Sequence, residues 1–151
     1  MQFRHFPYAL ILGAALAAAL PAGALAQDSA ETPAAPETVQ LTPAQLFAFA
    51  DEARDAGDFE TAETAYRALA EHPDIELRTE ARFRLAMMLD SQGSTREAAV
   101  LMRQILDEKP DAARVRVELA RMQAMMGNMR AAERELRAAQ AAGLPPEVER
   151  L

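Results

Sequence analysis

The sequence predicts an all-α chain, an α-solenoid of three stacked helix-turn-helix units. Three observations carry this. First, Gly57, Gly93 and Gly127 recur at spacings of 36 and 34 residues, the kind of period that marks a helical repeat. Second, small residues hold fixed offsets from those glycines. Ala62, Ala98 and Ala132 stand five residues after them, and Ala50, Ala86 and Ala120 seven before. Third, bulky residues hold fixed offsets too. Tyr66, Met102 and Leu136 stand nine after, and Phe49, Leu85 and Leu119 eight before. Half of the 151 residues are hydrophobic but only 5% are aromatic. Such a core is filled by alanine-sized side chains and suits closely crossed helices better than a β-sandwich.

From the N-terminus, residues 1–26 read as a secretory leader. Arg4 and His5 precede Ala9–Leu20, which carries no charge, and Ala24-Leu25-Ala26 supplies the small-x-small cleavage pattern. A spanning helix needs about 20 apolar residues, a length this run reaches only by taking in Pro21 and Gly23. Cleavage is therefore expected, leaving no membrane span. An arginine-rich, cysteine-free body behind such a leader suits a bacterial periplasm. Residues 27–40 hold Asp28, Glu31, Glu37, Pro33 and Pro36 with little to bury, and read as a disordered acidic linker.

Six helices follow, at about 43–56, 59–71, 75–91, 95–108, 112–126 and 129–142. Thr42-Pro43-Ala44-Gln45 opens the first with an N-cap, a first-turn proline and a capping-box glutamine. Ser94-Thr95-Arg96-Glu97 reads as a second capping box. Asp58, Asp74, Asp111 and Asn128 are the N-caps expected elsewhere. Each glycine supplies the left-handed residue that ends the first helix of a pair. Pro73 and Pro110 close the first two units, and Pro145-Pro146 the third.

Charge is uneven. Residues 27–73 hold ten acids and two arginines, while 113–144 hold six arginines and three glutamates. The acidic total of −7 argues against general nucleic-acid binding, which requires a basic surface. Without cysteine, a thiolate metal site, a disulfide and a lipid-anchor cysteine are excluded. Only His72 remains after leader removal, and no phosphate loop or nucleophile elbow occurs. An enzyme, a cofactor and a metal are not expected. His72-Pro73-Asp74 matches the tripeptide of J-domain co-chaperones, but a basic helix precedes it there. Here the preceding helix carries Glu60, Glu63 and Glu71 against Arg67 alone.

The repeated glycine, alanine and proline positions resemble the tetratricopeptide repeat, best in the unit running from Thr79 to Pro110. The resemblance covers 41–144, in units of about 43–73, 79–110 and 113–144. It implies a right-handed α-solenoid, a binding scaffold whose first helices line a concave groove for a protein or peptide. Carried onto this sequence, that face would present Phe47, Asp51, Arg54, Phe83, Met87, Asp90, Val117, Arg121 and Met125. Phe83 and Met87 have an alternative reading as core. Met122, Met125, Met126 and Met129 follow helical spacing, as interior filler or as a surface facing a missing neighbour.

The third unit runs Arg114-Val115-Arg116-Val117-Glu118-Leu119-Ala120-Arg121, then Ala141-Ala142-Gly143-Leu144-Pro145-Pro146-Glu147-Val148-Glu149-Arg150. These stretches look like the periplasmic N-terminal domain of the surface lipoprotein assembly modifier family. There, tetratricopeptide repeats precede an outer-membrane β-barrel that moves lipoproteins to the cell surface. The resemblance implies a lipoprotein or an outer-membrane β-barrel as partner. No barrel strands follow the repeats here, so a truncated product is expected, with 145–151 as the start of a truncated capping helix. The alternative is a free-standing periplasmic scaffold for cell-envelope or cytochrome assembly.

Overall fold

The computed structural model describes residues 41–143. The leader at 1–26, the linker at 27–40 and the start of the capping helix at 145–151 lie outside the described residues.

Six helices follow one another: α1 (Pro43–Asp55), α2 (Phe59–Ala70), α3 (Ile75–Ser91), α4 (Thr95–Glu108), α5 (Ala113–Met125) and α6 (Met129–Ala141). No strand occurs among the described residues. Each helix packs on the next, and α1 also touches α3. The described residues therefore form a solenoid of three helical hairpins, α1–α2, α3–α4 and α5–α6. Gly57, Gly93 and Gly127 close the hairpin turns with φ between 80° and 85°, in the left-handed region that costs glycine nothing.

The repeated alanines are buried at both offsets in all three hairpins, so backbones approach closely at every crossing. The bulky positions are buried where a neighbouring helix covers them. Tyr66 and Met102 are fully buried, whereas Leu136, in the same register on α6, is 43% exposed. Leu85 and Leu119 are buried, but Phe49 on α1 is 37% exposed. Both exceptions fall on the outermost hairpins. The position nine after the glycine is therefore sealed at Tyr66 and Met102, where another hairpin follows, and open at Leu136.

Side-chain caps form on α1, α2 and α3 and are missing on α4, α5 and α6. Thr42 forms the full capping box, its Oγ1 accepting from Gln45 N and its N donating to Gln45 Oε1 at 2.9 Å. Asp58 accepts from Thr61 N, and Asp74 from Glu76 N and Leu77 N. The second capping box does not form. Ser94 makes no side-chain cap bond, and the Glu97 carboxylate that would complete the box is taken by Arg67 Nη2 at 2.6 Å, thirty residues away. Asp111 gives way to Ala112 as the N-cap of α5. Asn128 is at the expected position, but its Nδ2 turns back to Gln123 Oε1 at 2.9 Å.

The loops between hairpins are held by arginines on the following helix. Arg78 donates to the carbonyls of His72 and Pro73, and Arg116 to that of Pro110. In His72-Pro73-Asp74, the Asp74 N donates to His72 Nδ1 at 3.0 Å while its carboxylate caps α3. The tripeptide acts as a turn and a helix start. Glu108, at the end of α4, accepts from Arg78 and Arg82 of α3, each with a contact of 2.5 Å. Hydrogen bonds from those two guanidiniums hold its carboxyl down to about 2.

Candidate interaction groove

The odd-numbered helices carry the first helix of each hairpin, and their side chains meet across one face. Asp51 of α1 is the hub of the first joint. Its Oδ1 accepts from Arg54 Nη1 at 3.0 Å and from the Tyr66 hydroxyl at 2.5 Å, and its Oδ2 pairs with Arg84 of α3 at 2.5 Å. Burial, and then the bond to Asp51, push the Tyr66 phenol well above the ordinary tyrosine range. Arg84 also holds Glu80 at 2.7 Å, and its guanidinium lies 4.8 Å from the centre of the Phe47 ring. At the second joint, Arg121 of α5 pairs with Asp90 Oδ2 of α3 at 2.6 Å and with Glu118 at 3.0 Å. Burial pushes the Asp90 carboxyl up, but hydrogen bonds from Arg121 and Thr95 outweigh it and hold the group below its usual range.

Two open clefts lie against α3. One, of about 400 Å³, is lined by Arg54, Glu80, Phe83, Arg84, Met87, Met88, Ser91 and Arg114, all from α1, α3 and α5. The other, of about 430 Å³, runs from Glu76 and Leu77 to Lys109, Ala112 and Val115. Glu80, Phe83 and Arg114 line both, so the clefts adjoin across the Phe83 ring. Arg114 stands over that ring, 4.8 Å from its centre. The linings combine Phe83 and Met87 with the charged Glu80, Arg84 and Arg114, which suits an extended segment carrying both apolar and charged side chains.

The residues expected on this face have separate fates. Arg54, Phe83 and Met87 line the first cleft. Phe83 and Met87 are half-buried and also pack against the core. Phe47 belongs to the core itself, beneath Arg84. Asp51, Asp90 and Arg121 are engaged in the ion pairs that join the helices. Val117 is half-buried and lines neither cleft. Met125 is 64% exposed, and its Sδ accepts from Arg121 Nη1 at 3.1 Å. The methionine group is likewise split. Met122 is fully buried and Met126 packs on the core, while Met125 and Met129 are exposed.

Sequence reasoning missed Glu80, Arg84 and Arg114 as cleft residues. Phe47 and Phe83 occupy equivalent positions 36 residues apart, and each ring supports an arginine from the next odd-numbered helix. Arg84 and Arg114, however, stand nine and thirteen residues before their repeat glycines, so the spacing does not mark them.

Consecutive helical hairpins with a cleft along one face define a helical-repeat scaffold of the kind that binds proteins. The profile of the Tetratricopeptide repeat family matches residues 89–151, spanning the end of α3 through α6. The match and the packing support repeats of the tetratricopeptide type; proteins built from such repeats serve as interaction modules and generally have no catalytic role. No curated protein matches the chain. Among the described residues, no helix is long and apolar enough to cross a membrane.

Proposed function

We propose that this chain is a periplasmic protein-interaction module that takes an extended peptide in the cleft bordered by α1, α3 and α5. The observation that carries the reading is that Phe83 and Met87 line one cleft together with Arg54 and Arg114. Apolar side chains beside a few oriented polar groups offer both burial and register to a bound segment. The leader pattern at 1–26 supports export, and the resemblance of the third hairpin to the surface lipoprotein assembly modifier family supports a role in outer-membrane lipoprotein assembly. On that reading, the partner is an exported lipoprotein or an outer-membrane β-barrel.

The test is capture of partners from periplasmic extract by the leaderless chain and by a variant with Phe83→Ala, Met87→Ala and Arg114→Ala together. All three side chains are exposed or half-buried, so the variant is expected to retain its helical spectrum and lose the captured protein. Unchanged capture by a folded variant would place the binding surface elsewhere.

A further inference from the structure

The two arginine–phenylalanine pairs place the ring at the same repeat position. They take the arginine from positions about one helical turn apart, nine residues before Gly93 for Arg84 and thirteen before Gly127 for Arg114. They also differ in how the guanidinium is engaged. At the first joint, Arg84 lies over Phe47, and Asp51, one helical turn after that phenylalanine, takes its Nη1 at 2.5 Å. Glu80 takes its Nε. At the second joint, Arg114 lies over Phe83 at the same 4.8 Å. The residue one turn after Phe83 is Met87, which has no carboxylate. Glu80, the acid of this cleft, is held by Arg84. Among the described residues, Arg114 has the Phe83 ring as its contact and neither an ion pair nor a hydrogen bond. Its guanidinium is exposed and lines both clefts.

We infer that the Arg114 guanidinium, stacked on Phe83 beside Met87, receives the side-chain carboxylate of an aspartate or glutamate within an extended peptide whose neighbouring apolar residues lie on Phe83 and Met87. The ligand supplies in trans a carboxylate of the kind that Asp51 gives Arg84 at the first joint. Stacking fixes the plane of the guanidinium before binding, so little side-chain freedom is lost when the carboxylate arrives. The clefts adjoin across Phe83, so a chain can pass through instead of ending there. This favours an internal acidic side chain over a chain terminus. The inference rests on the groove reading above and specifies its partner.

The experiment uses the leaderless chain and an array of ten-residue peptides blocked at both ends. Each peptide has one glutamate flanked by leucine or valine, and is paired with a glutamine version. Binding is read by fluorescence anisotropy at low and high salt. Glutamate peptides are expected to bind about tenfold or more tightly than their glutamine partners at low salt, the range of one charge-assisted hydrogen bond. Arg114→Gln should erase that difference while leaving the weaker apolar binding. Met87→Asp should place a carboxylate beside Arg114, leave the helical spectrum intact and remove the preference for glutamate. Equal binding of both members of each pair, with no effect of Arg114→Gln, would overturn the carboxylate assignment and leave the groove standing. Binding that appears only with free C-termini would overturn it in favour of a terminal carboxylate. No binding by any peptide to the folded chain would overturn both readings.

Discussion

Asp51 and Arg84 meet at 2.5 Å across the joint between α1 and α3, with the Tyr66 hydroxyl bonded to the same carboxylate. The pair ties two hairpins together at a point where the helices present polar side chains. Both partners are about one-third exposed, so solvent screens their attraction. Asp51→Asn is expected to lower unfolding stability by about 1–2 kcal/mol, since it weakens several charge-assisted contacts together. A double-mutant cycle with Arg84→Gln, read by urea unfolding, should give a coupling of about 1 kcal/mol. Strict additivity would mean that the contact holds nothing together.

Met102 and Leu136 share one register and differ in cover, the first being fully buried and the second 43% exposed. Met102→Ala should cost about 2–4 kcal/mol, as for other large-to-small changes in a core. Leu136→Ala should cost well under half of that. Comparable losses would show that α6 is covered as fully as α4.

A Cβ at Gly93 would meet nothing within 4 Å, yet φ there is +85°. The penalty for a side chain is therefore conformational and not a clash. Gly93→Ala is expected to cost about 1–2 kcal/mol, and Gly93→Asn less, because asparagine tolerates the left-handed region. Thermal unfolding of the two variants side by side decides it. Equal costs would point to a different turn.

Glu108 sets an acid limit on stability. Its carboxyl is held at about 2, below the ordinary 4.5, by Arg78 and Arg82. A depressed folded value means the contribution is fully present above about 4.5 and is lost as the pH falls toward 2. Urea unfolding of the parent chain should weaken across that window, and Glu108→Gln should flatten the dependence there. A variant with the parent's full acid slope would assign the effect to other carboxylates.

The helix spans were legible in the sequence because their punctuation is local. The repeat glycines, Pro73 and Pro110, and the Thr42–Gln45 box each act within a few residues of themselves. What escaped was non-local. Glu97 looked like a capping-box partner for Ser94, but Arg67 claims it from thirty residues away. The family resemblance places Asp51, Asp90 and Arg121 on the concave face, and their pairing across the joints depends on partners about thirty residues away. Arg114 read as one member of a basic stretch, since nothing beside it in sequence indicates that its guanidinium lies over Phe83.

The central claim, that a peptide occupies the cleft between the odd-numbered helices, is tested most directly through methionine methyl groups. Met87 lines the cleft, Met102 is sealed in the core, and Met125 and Met129 are exposed outside the cleft lining. Carbon-13 methyl labelling reports all four positions in one NMR spectrum during titration with the glutamate peptides. The expected result is a saturable shift of the Met87 resonance, with Met102, Met125 and Met129 unmoved and the Met87 shift lost in Arg114→Gln at the same peptide concentration. Shifts confined to Met125 and Met129, or none at any peptide concentration, would contradict it.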